Sequence, residues 1–281
     1  MEKVAVVILN YKSKEETLKC ALSVLKSDYS NLEVIVVDNN SSDGLGDEIN
    51  IATNIIFIQN SENLGYSCGN NVGIKRALKD GVDFVFILNP DTTIKKDAIS
   101  YLVMCARKED VGIVGPKIFF GDKKTIWYAG GIFDFANVLG THKGVNEKDN
   151  GQFNNEGETD FVSGGAMFVR SEVFNKVGLF DENYFLYYED ADFCIRAKKK
   201  GFKLLYCPYA EVYHENAKST GLGSPLQDYY ITRNRMFLAS KFLSWRTRFA
   251  LLREAFRNIK IPARRKALYD FLMNNLGKGD I

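Results

Sequence analysis

Several polar segments of the sequence carry side chains that could take part in bond-making chemistry. Carboxylates stand at Asp91 and within the segment 189–192, and His214 is one of two histidines in the chain. Carboxylate oxygens and neutral imidazole can ligate Mg²⁺ or Mn²⁺, which bind few protein ligands together with substrate phosphate oxygens. A carboxylate in partly apolar surroundings can also act as a general base. These residue types fit metal-assisted chemistry on a phosphate-containing substrate.

Asp91 belongs to the segment Asn89-Pro90-Asp91, which follows the apolar run VDFVFIL. Proline stiffens this turn and holds the carboxylate at the edge of the predicted sheet, where it could bind a metal ion. The alternative is that Asp91 caps a helix beginning near Thr92. The residues alone leave both interpretations open.

The segment Glu189-Asp190-Ala191-Asp192 opens a predicted helix that ends before Gly201. Acids at the start of a helix are what capping and the macrodipole favour. The preceding aromatic segment FDENYFLYY would surround the acids with apolar surface, which instead suits a general base. For His214, a metal ligand and an ordinary hydrogen-bonded histidine are both open.

Two further polar segments could bind the parts of a nucleotide. Asp38 opens the turn VVDNNSSDG, where it could accept a hydrogen bond from a base or simply stabilise the turn. Asn70 and Asn71 stand at the predicted start of a helix, where amides and backbone N–H groups could face an anion or merely cap the helix.

The elements that must position these residues alternate between short β-branched runs and amphipathic stretches. The predicted strands are 4–9, 32–37, 54–58 and 82–88, and the predicted helices are 14–27, 67–79 and 95–108. This alternation predicts a largely parallel α/β sheet whose ligands bind beyond the carboxyl ends of the strands. The glycine-rich stretch 115–160 predicts long loops, followed by strands at 161–170 and 203–207 and by helices over 224–275.

Composition narrows the class of function. The net charge of +2 lacks the one-signed field of a nucleic-acid binder, so no nucleic-acid partner is expected. Five cysteines without CxxC spacing indicate reduced thiols, and the N-terminus lacks the features of a signal peptide. We therefore expect a small-molecule enzyme on the cytoplasmic side of a microbial cell, with at most peripheral membrane contact.

Seven segments in order resemble glycosyltransferase family 2, and its rhamnosyltransferase-like branch most closely: VVILNYKS, VVDNNSSDG, NLGYSCGNNVGI, FILNPDT, VSGGAMFVR, FDENYFLYYEDADFCIR and VYH. The resemblance covers about residues 3–240. It implies a GT-A fold over residues 1–223, with a Rossmann-like sheet between helices, and a helical extension over 224–281. The implied donor is a dTDP- or UDP-linked sugar, with rhamnose suggested by the branch, and the implied cofactor is Mn²⁺ or Mg²⁺.

The resemblance also implies roles for individual residues. Asp190 would be the catalytic base of an inverting reaction, supported by Glu189 and Asp192, while Asp91 and His214 would hold the metal ion. The implied donor-binding residues are Asn10, Tyr11, Asp38, Asn40, Asn70, Asn71, Asn89, Gly165 and Arg233.

Two positions depart from the pattern of the family. Asn70 stands where an arginine is common near the diphosphate, and Asn89 replaces the first acid of the DxD motif. Both changes remove charge, which makes the metal ion and a histidine ligand more important. Arg233 belongs to a YxxRNR-like stretch that either faces the ligands or forms a solvated helix face.

Residues 241–266 are basic and interleaved with Phe, Leu and Trp245. A basic amphipathic helix could lie on an anionic membrane near a glycan or lipid-linked acceptor, pack on the domain, or form a homodimer contact. A nucleotidyltransferase and a non-catalytic carbohydrate-binding protein remain alternative functions.

Overall fold

A computed structural model describes residues 1–49, 54–215 and 223–281 of the chain. The strands in chain order are β1 (Val4–Asn10), β2 (Leu32–Asp38), β3 (Ile55–Gln59), β4 (Phe84–Leu88), β5 (Thr92–Ile94), β6 (Val111–Phe120), β7 (Ile126–Tyr128), β8 (Gly131–Asp134), β9 (Leu139–His142), β10 (Gly157–Glu158), β11 (Ala166–Arg170) and β12 (Lys203–His214). The helices are α1 (Lys14–Leu25), α2 (Leu45–Ile49), α3 (Gly65–Lys79), α4 (Ala98–Ala106), α5 (Ser171–Val177), α6 (Glu189–Lys199), α7 (Pro225–Phe242), α8 (Trp245–Arg257) and α9 (Pro262–Leu272).

The central sheet has the strand order β10-β12-β6-β11-β4-β1-β2-β3. Strands β4, β1, β2 and β3 run parallel, as do β6 and β12, whereas β11 is antiparallel to both of its neighbours. Parallel strands end at the same sheet edge, so the residues that follow β1, β2 and β4 meet there. This mostly parallel α/β sheet confirms the predicted fold class.

Alternation along the strands divides the core into two layers. On β1, Val6 and Ile8 pack with α1 and α4, whereas Val7 and Leu9 pack with α3, α6 and α7 on the other face. Helices α1 and α6 therefore lie on opposite faces of the sheet.

The prediction of irregular loops over 115–160 was wrong in part, because β6 runs through residue 120 and β8 pairs with β9. The glycines in this stretch indicated loops. A Cβ on Gly115 of β6 would lie 3.0 Å from the hydroxyl of Tyr128, so glycine at this position lets the strand pack closely against that side chain. The strand predicted at 161–170 begins only at Ala166, and the strand predicted at 203–207 continues to His214.

The predicted helical region 224–275 contains α7, α8 and α9, and the basic stretch 241–266 is divided among the end of α7, the whole of α8 and the start of α9. Residues 216–222, just before the predicted domain boundary, lie outside the described residues. Within the described ranges, no helix combines the length and hydropathy that crossing a bilayer requires. All five cysteines are free thiols.

Candidate active site

A saturated hydrogen-bond network, which we call the β2-end cluster, joins Asn10, Asp38, Ser41 and Gln59. Asp38 accepts from Asn10 Nδ2 (2.6 Å), Gln59 Nε2 (2.7 Å), and both the backbone N–H (3.0 Å) and hydroxyl (2.5 Å) of Ser41. Burial alone would raise the pKa of Asp38, but these hydrogen bonds outweigh it and hold the pKa below its usual value. The four donors fill about all the lone-pair sites that a carboxylate offers.

Asn10 is equally well satisfied, whereas two other predicted donor residues lie at the rim of this cluster. The carbonyl oxygen of the Asn10 side chain accepts from Thr17 Oγ1 at 2.8 Å and from the Ser13 N–H at 3.3 Å. Tyr11 is 43% exposed, and Asn40 is exposed with a left-handed backbone. Tyr11 and Asn40 are therefore free to meet a ligand.

Asn39 is a buried residue that the sequence interpretation passed over. Its amide donates to Asn63 Oδ1 (3.1 Å) and to the Gly65 carbonyl (2.9 Å), and its oxygen accepts from Asn60 Nδ2 (2.9 Å). Asn39 thereby ties the end of β2 to the start of α3.

Asn70 and Asn71 lie within α3, which begins earlier than predicted, at Gly65. Their backbone N–H groups are thus inside the helix rather than at its start, and only the first turn of α3 is available to an anion. The side chain of Asn71 is bound to both backbone groups of Phe180. Asn70 Nδ2 donates to the Tyr66 carbonyl at 2.9 Å, and its buried Oδ1 has no hydrogen-bond partner among the described residues.

Asp91 and His214 are brought together although 123 positions separate them in the sequence. Strand β5 pairs with β12 and places His214 opposite Thr92, so that His214 Nε2 lies 3.0 Å from Asp91 Oδ1. Because Thr92 begins a strand, the alternative that Asp91 caps a helix is wrong. Both side chains are buried, at 7% and 5% exposure.

This pair fits a divalent cation. Over the residues that the structure describes, Asp91 Oδ2 is buried without a hydrogen-bond partner, which is costly unless a ligand completes the site. Adjacent ligands of an octahedral ion bound at about 2.1 Å are about 3 Å apart, as the two facing atoms are here. The described residues contain no cluster of three or more metal-ligating side chains, so remaining ligands would come from elsewhere, such as substrate phosphate oxygens.

The turn before β11 lies directly beside Asn89, which is partly buried. The Asn89 N–H donates to the Gly165 carbonyl at 3.0 Å, and a Cβ on Gly165 would lie 3.6 Å from the ring of Trp127. A Cβ on Gly164 would lie 3.1 Å from the hydroxyl of Tyr66. Gly164 thus allows a close approach of the backbone to Tyr66, whereas a Cβ on Gly165 would make only an ordinary van der Waals contact.

Asp190 is held against this turn from the first turn of α6. Its Oδ2 accepts from the Gly164 N–H at 3.0 Å and its Oδ1 from the Ala191 N–H at 2.7 Å. Burial raises the pKa of Asp190, and the two N–H groups oppose that rise without cancelling it. The N-cap position belongs to Tyr188, so Asp190 does not cap α6.

Tyr66 is bound to the turn that also holds Asp190, and the sequence interpretation did not single it out. Its hydroxyl donates to the Gly164 carbonyl at 2.6 Å. Burial and the nearby charges of Glu189, Asp190 and Asp91 raise the pKa of Tyr66 well above its usual value. We call Tyr66, Asp91, Gly164, Asp190 and His214 the β4-end cluster.

Trp127 and His142 also escaped the sequence interpretation, because they lie in the stretch expected to be irregular. The Trp127 ring packs edge-on against His214, with centroids 4.8 Å apart, and against His142 at 4.4 Å. Burial lowers the pKa of His142 to about 4, which keeps this wall uncharged at neutral pH.

The two acids that flank Asp190 have different surroundings. Glu189 is buried, and burial followed by the charge of Asp190 raises its pKa well above the usual value, which favours a neutral carboxyl. Asp192 is fully buried in an ion-pair network, with Arg196 Nε at 2.5 Å and Lys241 as a second partner. Asp192 therefore ties α6 to α7.

Strained backbone precedes helix α6. Tyr187 and Tyr188 both have left-handed backbones, with φ of 69° and 75°, a conformation that bulky residues rarely adopt. The amide of Asn234 on α7 donates to the carbonyls of Leu186 and Tyr187, each at 2.8 Å. Asn234 thus holds the strained segment in place. No local sequence pattern predicted this role.

In this structure, the Arg233 guanidinium is bound to other residues of the protein. It is fully buried, its Nη2 donates to the Gly277 carbonyl at 2.8 Å, and its Nη1 donates to the Tyr229 hydroxyl at 3.1 Å. Its guanidinium also lies over the rings of Tyr229 and Tyr230. Donor binding by Arg233 stays a prediction and would require some of these contacts to break.

The fold and the ordered polar residues at its sheet edge define a GT-A glycosyltransferase. Residues 2–237 match the model of the "Glycosyltransferase like family 2" family, and the chain belongs to that family. It is therefore a glycosyltransferase enzyme, which decides against the nucleotidyltransferase and the non-catalytic carbohydrate-binding protein.

Individual relatives agree with this assignment. The chain is 30% identical over 250 residues to the low-salt glycan biosynthesis hexosyltransferase Agl10 of Haloferax volcanii, covering 85% of this chain and 76% of that protein. It is 28% identical over 248 residues to the dTDP-rhamnosyl transferase RfbF of Shigella flexneri, covering 84% and 79%. The crystal structure of GalNAc-T7 with UDP, GalNAc and Mn²⁺ superposes with a TM-score of 0.73 at 16% identity, over 99% of this chain and 55% of that one.

Proposed function

We propose that this enzyme transfers a sugar, with rhamnose as the leading candidate, from a dTDP- or UDP-linked donor to a hydroxyl group of a glycan or lipid-linked acceptor. The transfer inverts the anomeric carbon and depends on Mn²⁺ or Mg²⁺. The observation that carries the proposal is the β4-end cluster, in which Asp190, a carboxylate of raised pKa, binds the Gly164 turn. The incompletely satisfied Asp91–His214 pair packs on Trp127, whose ring borders the same turn at Gly165.

The donor nucleotide is assigned to the edge formed by β1 and β2. Asp38 would accept a hydrogen bond from the ring N3–H of uracil or thymine, and one of its present donors, such as Gln59, would then have to move aside. Asn10, Tyr11 and Asn40 would line the base and ribose pocket, and Asn70 and Asn71 would lie toward the diphosphate.

Asp91 and His214 would hold the metal ion, and Asn89 would contact the ribose. A bound divalent cation would neutralise the charge that develops on the departing nucleoside diphosphate. Tyr66 keeps its proton and fixes the Gly164 carbonyl, and Gly165 leaves space beside Trp127 for a sugar.

Asp190 would accept the proton of the acceptor hydroxyl while that oxygen attacks the anomeric carbon. The bond between the anomeric carbon and the diphosphate oxygen breaks in the same displacement, so one inversion results. The raised pKa of Asp190 makes it a better base than an ordinary aspartate. Glu189 and Asp192 support this role by shaping and anchoring the first turn of α6.

We propose a biological setting from the names of two relatives. The name of RfbF suggests a dTDP-rhamnose donor, and that of Agl10 suggests glycan synthesis. We assign the enzyme to cell-surface polysaccharide synthesis at the cytoplasmic side of the membrane. We also propose that residues 1–223 form the GT-A domain and residues 224–281 its helical extension.

A thermal-shift screen of nucleotide sugars tests the proposal. A ligand that binds only the native state raises its melting temperature, so dTDP- or UDP-sugars should protect in Mn²⁺ and lose most of that protection in chelator. The protective sugar is then offered with candidate acceptors, and NMR reads the anomeric configuration of the product. Protection by GDP-sugars alone, or a product of retained configuration, would contradict the proposal.

A further inference from the structure

Helix α8 exposes large apolar side chains on its outer face. Trp245 is 72% exposed, Phe249 63% and Phe256 54%. Their spacings of four and seven residues place all three rings on one side of the helix. Exposed aromatic groups of this size, aligned in a row, are typical of an interaction surface.

The packing of α8 onto the protein does not account for this row. Its inner face buries Leu251 and Ala255 in the same core cluster as Met236 of α7. The helix is therefore already anchored through one apolar face, and Ser244 caps its N-terminus by accepting from the Thr247 N–H. The outer aromatic row is therefore a second apolar face, which is not needed to hold the helix on the protein.

Unpaired arginines border the aromatic row. Arg246, Arg253 and Arg257 are exposed, and none forms a salt bridge with another described residue. By contrast, Arg248 donates to the Ala239 and Leu243 carbonyls. The α8 arginines without a salt bridge are thus concentrated beside the aromatic row, and the Arg246 guanidinium lies 5.7 Å from the centroid of the Trp245 ring. The net charge of the whole protein is only +2.

We propose that the outer face of α8 docks onto an anionic lipid bilayer. Aromatic rings suit the boundary between headgroups and acyl chains, and arginines beside them suit lipid phosphates. A second copy of the chain is a poorer partner, because a two-fold contact would bring the same arginines toward each other. The surface is separate from the β4-end cluster, so this inference and the proposed reaction can fail independently.

Vesicle co-sedimentation of the full chain tests the docking surface. We expect binding to vesicles made of equal parts phosphatidylcholine and phosphatidylglycerol, weak binding to phosphatidylcholine alone, and loss of binding as salt is raised. Since each basic residue contributes about fivefold to such binding, the triple variant Arg246→Gln/Arg253→Gln/Arg257→Gln should bind roughly 100-fold more weakly.

A second variant tests the contribution of the aromatic rings, and a control tests whether the position of the charges matters. Trp245→Ser/Phe249→Ser/Phe256→Ser keeps the arginines but removes the rings, and should weaken vesicle binding by at least about tenfold. The control Lys26→Gln/Lys79→Gln/Lys200→Gln removes the same charge from exposed positions elsewhere and should bind almost as wild type does. Thermal melts confirm that each variant is folded.

Three outcomes would overturn the inference. The first is a wild-type chain that does not sediment with the anionic vesicles, and the second is a lysine control that loses as much binding as the arginine variant. The third is a lipid-free dimer in sedimentation equilibrium that becomes monomeric when the three rings are removed, which would assign the face to a second copy.

Discussion

At the end of β2, Asp38 accepts four hydrogen bonds, and the amide of Asn10 beside it is bound on both sides. At the end of β4, Asp91 and His214 each leave one buried polar atom without a partner in the described parts of the chain, and Asp190 and Glu189 have raised pKa values. The β2-end cluster is complete without a ligand. The β4-end cluster bears the costs of burial that a metal ion, a diphosphate and an acceptor could relieve.

This contrast separates residues that build the pocket from residues that act in it. Substitutions in the β2-end cluster should mainly reduce stability, whereas substitutions in the β4-end cluster should mainly reduce binding or transfer. Five predictions test the division.

The largest effect is expected from Asp190→Asn. Asparagine keeps the shape and can still accept from the Gly164 N–H, but it cannot take a proton. Transfer should fall about 100-fold or more, equivalent to about 2.7 kcal/mol, while donor affinity changes little. Steady-state rates and donor titration measure the two quantities. Transfer near the wild-type rate in a folded variant would move the base role to Glu189 or Asp192.

The pH dependence of transfer is a second test of Asp190 as the base. Asp190 must be ionised to act, and its pKa is raised by burial. Transfer should therefore decline about tenfold per pH unit below that raised pKa, beginning at a higher pH than an ordinary aspartate would give. An acid limb that persists unchanged in Asp190→Asn would belong to another group.

Asp38→Ala should cost stability rather than catalytic rate. The substitution leaves the donors of Asn10, Ser41 and Gln59 without their acceptor in a buried site, which should lower the free energy of unfolding by about 2 kcal/mol. Urea denaturation measures the loss, and the exposed Asp47→Ala serves as control. The variant should also discriminate less between pyrimidine and purine diphosphates. Equal stability of the two variants would remove the distinction between the clusters.

Asp91→Ala should show the opposite behaviour. Its Oδ2 has no hydrogen-bond partner in the described residues, so its removal should cost less stability than the loss of Asp38. Nucleoside diphosphate binding should weaken about tenfold in Mn²⁺, or about 1.4 kcal/mol, and barely change in chelator. Calorimetric titration under both conditions is decisive, since equal losses in the two would argue against a ligand role.

Glu189→Gln should have the smallest effect on transfer, less than about twofold near neutral pH, because the raised pKa already favours a neutral carboxyl. Its effect should be on the pH dependence of stability. An acid with a raised folded pKa loses stability as pH rises from its unfolded value, about 4.3, through the folded one. Glutamine lacks this loss, so the variant should gain in melting temperature over wild type as pH rises. A constant difference across this range would contradict the assignment.

The sequence predicted the parts of the site that lie directly after strands. Asp38 and Asp91 each follow an apolar run, so their placement at one sheet edge follows from βα alternation. The predicted partnership of Asp91 and His214 depended on family resemblance, and β5–β12 pairing explains it. Their roles as ligands stay predictions until they are tested.

Other parts depended on contacts that no local pattern encodes. The glycines between residues 121 and 157 indicated long loops, but β6 continues through Phe120 and β8 pairs with β9. Trp127 was not predicted as a site residue, because it lies in the stretch that was expected to form loops. The role of Asn234 depends on carbonyls 47 and 48 residues away in the chain, a distance at which periodicity carries no information.

The hydrogen bonds from Asn234 to the Leu186 and Tyr187 carbonyls affect how chimeras of such enzymes should be designed. The geometry in front of Asp190 is maintained from α7, beyond the proposed end of the GT-A domain. Neighbouring Arg233 holds the carbonyl of Gly277, and the Gly277 N–H in turn donates to the Asn183 carbonyl. Chimeras that exchange acceptor halves between relatives should therefore carry α7 and the terminal residues with the 183–190 segment, because these pieces are joined by hydrogen bonds.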